Sequence, residues 1–171
     1  PFTGPSHGVI YVDYLGNRYV NEGDRRDVCA NAASNSGLIS TYAIFTEPVV
    51  PFAYPEEIAA GVASGRVLKG ETLEELVEKI NAFAVKGEYP QVTVENLKAT
   101  IEQYNADCEA RSDQILGKDA KYLTNLGEGG YYAVKARPMS LGAIGGVLVN
   151  SNLQVIKADG TVIGGLYAAG A

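Results

Sequence analysis

The chain has 171 residues, of which 46% are hydrophobic and 20% charged, enough for a single domain with a real core. Its formal net charge of −6 argues against a nucleic-acid-binding face, which needs a basic surface to neutralise phosphates. No apolar run approaches the roughly 20 residues of a bilayer-spanning helix, and Pro1-Phe2-Thr3-Gly4-Pro5 lacks the basic-then-apolar order of an export signal.

From Gly8 the residues alternate apolar and polar through Val12, turn at Leu15-Gly16-Asn17 and alternate again through Val20, the pattern of a β-hairpin. It runs through Asn21-Glu22 into Asp24-Arg25-Arg26-Asp27, where aspartates can cap a short helix closed by Asn35-Ser36-Gly37. Residues 41–46 set Tyr42 and Ile44 against Ala43 and Phe45 and predict a strand. A proline-bearing connection over 48–55, a small helix over 56–63 and a short extended piece at Val67-Leu68-Lys69 follow. Thr72 and Glu75 make a capping box. The helix behind it carries Leu73, Leu76, Val77, Ile80 and Phe83 on one face. A second amphipathic helix starts at Thr93 and turns Val94, Leu97, Ile101, Tyr104 and Cys108 inward, with Glu95, Lys98, Glu102 and Glu109 solvated. The two predict a packed pair joined by a loop at 87–90.

Residues 112–130 are long, polar and without periodicity, and a loop of this length is either functional or mobile. Strand patterns return at 131–136, 146–150, 153–157 and 166–169, with a turn at Asp159-Gly160. Strands, then helices, then strands give an α+β fold, a mixed sheet and hairpins with an amphipathic helix pair. Cys29 and Cys108 are far apart and form no C-x-x-C, so they are either free thiols or one disulfide and cannot attach a c-type haem. A single histidine, His7, leaves no histidine-rich metal site and predicts no metal. A G-x-G-x-x-G turn between strand and helix, the dinucleotide fingerprint, is absent.

The segment Gly16-Asn17-Arg18-Tyr19-Val20-Asn21-Glu22 with Arg26-Asp27 resembles the "G-x-RF-x-NE…RD" segment of the flavin-dependent fumarate reductase and succinate dehydrogenase superfamily. At the other end, Gly145-Gly146-Val147-Leu148, Asp159-Gly160-Thr161 and Gly164-Gly165-Leu166-Tyr167-Ala168-Ala169-Gly170 resemble that family's return into its FAD domain. The resemblance implies a capping, substrate-covering domain over 1–145 and strands over 146–171 that lead toward an FAD-binding domain of the same parent chain. The abrupt end at Ala171 gives the same expectation, a piece of a longer flavoprotein. The cofactor implied is FAD, and the substrate a small unsaturated organic molecule.

In that family the arginine before the last aspartate donates a proton to the substrate, and Arg26 matches it. Tyr132, in Tyr131-Tyr132-Ala133-Val134-Lys135, is similar to a family "(F/Y)YA" entry into the substrate segment and is a second acid–base candidate. Ser140 and Arg137 are candidates for binding substrate polar atoms. Gly142, Gly145 and Gly146 would let backbone approach a planar ring because no Cβ intervenes, and Gly170 falls where the family contacts FAD. The chain also departs from the fumarate reductases. Phe2 and Pro5 stand at the positions of the relay glutamate and second arginine, Gly142 near the position of a carboxylate-binding histidine, and Ala171 at that of an FAD-binding glutamate. The departures point to a less charged substrate than fumarate, as in the related urocanate reductases and 3-ketosteroid dehydrogenases. A tyrosine-led dehydrogenase and a non-catalytic binding module are the alternatives.

Overall fold

The computed structural model describes residues 8–35, 41–52, 55–83, 91–138 and 145–170. They fall into two compact units, Pro1–Pro138 and Met139–Ala171. In the first, Ile10–Val12 (β1), Thr41–Thr46 (β2), Val67–Gly70 (β3) and Tyr131–Ala136 (β4) form one antiparallel sheet in the order β1-β2-β4-β3. Its helices are Arg26–Asn35 (α1), Pro55–Ala63 (α2), Leu73–Phe83 (α3) and Val94–Ala110 (α4). The α+β architecture read from the element order is the one observed.

Because side chains alternate across a strand, the sheet has two buried faces. Ile10, Val12, Tyr42, Ile44 and Ala133 pack with Leu76, Ile80, Leu97 and Tyr104 of α3 and α4. Ala43, Phe45 and Tyr132 face the other way, onto Val49 and Ile58. β2 is therefore buried at all six positions. Phe45 pairs with Tyr132 across the β2–β4 ladder, their rings stacked with centroids 5.1 Å apart.

The helix pair forms from its apolar period, and Leu73, Leu76, Val77, Ile80, Leu97, Ile101 and Tyr104 are all buried. Thr72 Oγ1 accepts from the Glu75 N–H at 3.2 Å, but Glu75 reaches back to the Glu71 N–H rather than that of Thr72. Thr93 caps α4 by accepting from the Asn96 N–H, and Arg111 ends it in a left-handed conformation with φ of 53°. The joining loop at 87–90 lies outside the described residues.

The N-terminal hairpin differs from the reading. Asp13 builds a tight turn, accepting at its carboxylate from the Leu15 and Asn17 N–H groups. The returning arm then pairs with β1 through a single Val12–Arg18 bridge. Arg18 makes that bridge with its backbone, while its side chain turns into the interior toward the carboxylates of Glu22 and Asp113.

In the second unit Gln154–Ile156 (β5) and Val162–Tyr167 (β6) form a hairpin, with Asp159 bonding Thr161 in the turn. The strand expected over 146–150 reduces to a Val149–Val155 bridge. Every residue of β6 is exposed.

Candidate active site

Arg26 is the first residue of α1 and is exposed. The turn before it is held locally. Asn21 Oδ1 accepts from the Gly23 N–H at 2.8 Å, and the Asn21 carbonyl accepts from the Asp24 N–H at 3.1 Å. Its neighbour Arg25 pairs with Asp27 at 2.8 Å, both largely solvent-exposed, so the pair adds little stability. Burial pushes the Tyr11 hydroxyl above its ordinary pKa, helped by Cys29, Tyr19 and Glu22, while the charge of Arg26 pulls it down. Burial likewise raises the Cys29 thiol, with Asp24 and Glu22 adding to the effect, which keeps it protonated and unreactive.

Behind this surface lies a buried set of charges that the sequence did not announce. Arg18 grips Glu22 with two hydrogen bonds, Nε–Oε1 at 2.9 Å and Nη2–Oε2 at 2.8 Å, and reaches Asp113 Oδ2 at 2.9 Å. Lys118, with no exposed side-chain surface, places Nζ 3.4 Å from Glu22 Oε2 and donates to the Tyr104 hydroxyl at 3.1 Å. Glu22 also accepts from the Tyr11 N–H at 3.0 Å, and Asp113 from the Ile115, Leu116 and Lys118 N–H groups. Both cations lie over the Tyr104 ring, Arg18 at 4.8 Å and Lys118 at 5.0 Å. Two positive and two negative groups balance. Burial opposes the charge on Arg18, yet Glu22 and Asp113 outweigh it and raise its pKa. Burial raises Asp113 too, but the Leu116 N–H and Arg18 bring it below the usual carboxylate range. For Lys118 burial prevails over Glu22 and its pKa falls.

Tyr132 is 4% exposed, and its hydroxyl donates to Glu47 Oε2. Lys69 sits 5.6 Å above the Tyr132 ring and pairs with Glu71 at 3.0 Å, which with Tyr132 pushes its pKa up to about 12. Burial, then Glu47, holds the Tyr132 hydroxyl above its ordinary value. Arg137 is exposed just beyond β4. Ser140 and Gly142 lie outside the described residues.

Gly145, at φ of 113°, Gly146 and Gly170 stand in open space: a Cβ added to any of them would meet nothing within 4 Å. These three positions therefore present open backbone among the described residues. Among those residues there is no cluster of three or more metal-ligating side chains, and no helix is long and apolar enough to cross a membrane.

The family described as "FAD binding domain" matches residues 3–171, and the chain belongs to it. It is 35% identical over 97% of its length to NADH:acrylate oxidoreductase of Vibrio harveyi, covering 16% of that protein. It is 30% identical over 95% of its length to the urocanate reductase of Eggerthella lenta, covering 26% of it. The open conformation of a flavocytochrome c3 fumarate reductase superposes on 97% of the chain and 27% of that structure, with a TM-score of 0.75 and 26% identity. The chain thus spans about a sixth to a quarter of the length of these relatives. They are oxidoreductases of an FAD-binding family whose named substrates carry a C=C bond.

Proposed function

We infer that the chain is the substrate-capping part of a longer FAD-dependent oxidoreductase that reduces a carbon–carbon double bond, with Arg26 as proton donor. Adding hydrogen across a C=C bond requires a hydride equivalent on one carbon and a proton on the other; bound FAD, once reduced, supplies the former. What this chain supplies is the proton and the wall that carries it. The observation behind the reading is the placement of Arg26: it opens α1 on an exposed surface, while the turn leading to it is fastened from within. A guanidinium there can bind a substrate carboxylate and direct an N–H at the adjacent carbon, giving up its charge briefly as that proton is transferred and taking a proton back from solvent at its exposed position before the next turnover.

A substrate with one carboxylate, an α,β-unsaturated monocarboxylate of the acrylate type, suits the chain better than a dicarboxylate. Gly142 stands near the position where the fumarate reductases place a carboxylate-binding histidine, and acrylate and urocanate, the substrates named for two relatives, each carry one carboxylate. Tyr132 is less suited to lead the chemistry, since its hydroxyl is buried against Glu47.

The test uses the complete flavoprotein with acrylate and fumarate. Arg26→Ala is expected to lower kcat by about 10²–10⁴-fold, the usual contribution of a positioned acid, while the flavin is still reduced by its electron donor. Tyr132→Phe is expected to retain most of the turnover. An Arg26→Ala enzyme with near-normal kcat would refute the assignment.

A further inference from the structure

The polar stretch 112–130 is too long for an ordinary connection, and its first half is folded against the turn that precedes Arg26. Asp113 organises it by accepting three backbone N–H groups, from Ile115, Leu116 and Lys118. The result is a surface on which residues 21–24 rest. Asn21 Nδ2 donates to the Gly117 carbonyl at 3.2 Å. A Cβ on Gly23 would meet a Tyr122 ring carbon at 3.2 Å and Lys118 Cγ at 3.7 Å, so the turn lies directly on both side chains. Between Asn21 and Gly23, Glu22 points inward and is 4% exposed, held by Arg18, Lys118 and the Tyr11 N–H.

We propose that this loop and the buried Arg18–Glu22–Asp113–Lys118 set form a cradle that positions Arg26, making Asn21, Glu22, Asp113 and Lys118 positioning residues for proton delivery. The proposal rests on the reading of Arg26 given above. Stability alone does not account for the arrangement, because buried ion pairs are often replaced by apolar residues at no loss of stability. Directional hydrogen bonds do what an apolar contact cannot: they fix the height and rotation of the turn. From Glu22 to Arg26 is a single turn's length of chain. From there α1 continues with the Cys29 N–H on the Arg25 carbonyl at 3.1 Å, and Cys29 Sγ lies 3.6 Å from the Asn21 carbonyl. A shift of the turn is therefore passed to the guanidinium, and a displacement of about 1 Å can cost roughly 10²-fold in rate.

The complete flavoprotein, assayed with acrylate, tests this through variants that leave Arg26 in place. Asn21→Ser keeps an acceptor for the Gly23 N–H but cannot reach Gly117. It is expected to lower kcat about 5- to 10-fold with KM, flavin content and Tm nearly unchanged. Lys118→Met is expected to lower kcat about 100-fold, and Lys118→Arg to recover most of it. In an Arg26→Ala background Asn21→Ser should have no further effect, because its influence passes through Arg26. The same loss in both backgrounds would overturn the cradle, as would unchanged kcat in Asn21→Ser and Lys118→Met beside an inactive Arg26→Ala. Turnover retained by Arg26→Ala would instead overturn the reading of Arg26 and the cradle with it. Where Lys118→Met does not accumulate, Asn21→Ser carries the decision.

Discussion

Lys118 Nζ lies 3.4 Å from Glu22 Oε2, with 0% and 1% of the two side chains exposed, across 96 positions of sequence. Neither charge can return to water while the fold is intact, so each depends on the other and on Arg18 and Asp113. Removing one partner of such a pair typically costs about 3–5 kcal/mol, because a charge is left buried and uncompensated. Lys118→Met is expected to lose stability of that order in urea denaturation of the 171-residue chain. Combining it with Glu22→Gln should cost clearly less than the two single losses added, with a coupling above about 1 kcal/mol. Strict additivity would mean that the two groups do not stabilise each other.

Asp113 gives the same network a pH signature. Its folded pKa lies below the unfolded value of about 3.9, since the Leu116 N–H and Arg18 together outweigh burial. A depressed carboxylate contributes stability that is fully present above the unfolded pKa and is lost as pH falls through the folded one. Wild type should therefore exceed Asp113→Asn by a constant margin from pH 7 down to about 4, and the margin should close below that. Equilibrium unfolding at pH 7, 5, 4 and 3 measures it. A gap that persists unchanged at pH 3 would contradict the shift.

What the sequence made legible follows a physical division between local and distant determinants. α3 and α4 were readable because an apolar residue every three or four positions has one stable solution, and Leu76, Ile80, Leu97 and Tyr104 meet in one core. β2 and β4 were readable from alternation. Arg18 and Lys118 were not, since a lysine in a polar loop reads as solvated, and only residues far along the chain show that both are buried. The candidate site divides in the same way. Arg26 was placed at the start of a helix by its flanking aspartates, whereas the support under it, from Asp113 to Lys118, has no local pattern. Tyr132 was placed on a strand, but the Glu47 that takes its hydroxyl opens a 3-10 helix, Glu47–Phe52, 85 positions away.

Asp107 is the one residue of α4 whose polarity works against its place. It is 3% exposed in the last turn; Oδ1 accepts from Gln103 at 3.0 Å while Oδ2 has no hydrogen-bond partner. A buried carboxylate oxygen without a donor is costly, and negative charge near a helix C-terminus opposes the helix dipole. Asp107→Asn keeps the shape and removes the charge. It is expected to stabilise the chain by about 1 kcal/mol, a rise in Tm of roughly 2–4 °C for this size. A lower Tm would show that the charge is matched within the fold.

Two glycines with opposite surroundings separate packing from function. At Gly70, the last residue of β3, a Cβ would lie 2.5 Å from the Leu76 N, 2.7 Å from the Thr72 carbonyl oxygen and 2.9 Å from the Leu76 Cα. All three are backbone atoms at the start of α3 and cannot swing aside, so Gly70→Ala is expected to cost about 2–3 kcal/mol. At Gly146 nothing lies within 4 Å of the added carbon, and Gly146→Ala should leave the stability of the chain within about 0.5 kcal/mol of wild type. In the complete flavoprotein the order of effects should change. If a ring system approaches the backbone at Gly146, the methyl group that was harmless in the chain alone should lower flavin content or raise KM at unchanged Tm. Absorbance of the purified holoenzyme and denaturation of the chain measure the two halves. A Gly146→Ala holoenzyme with full flavin and normal kinetics would remove this glycine from the cofactor-facing surface and leave Gly70 as the position where the missing side chain matters.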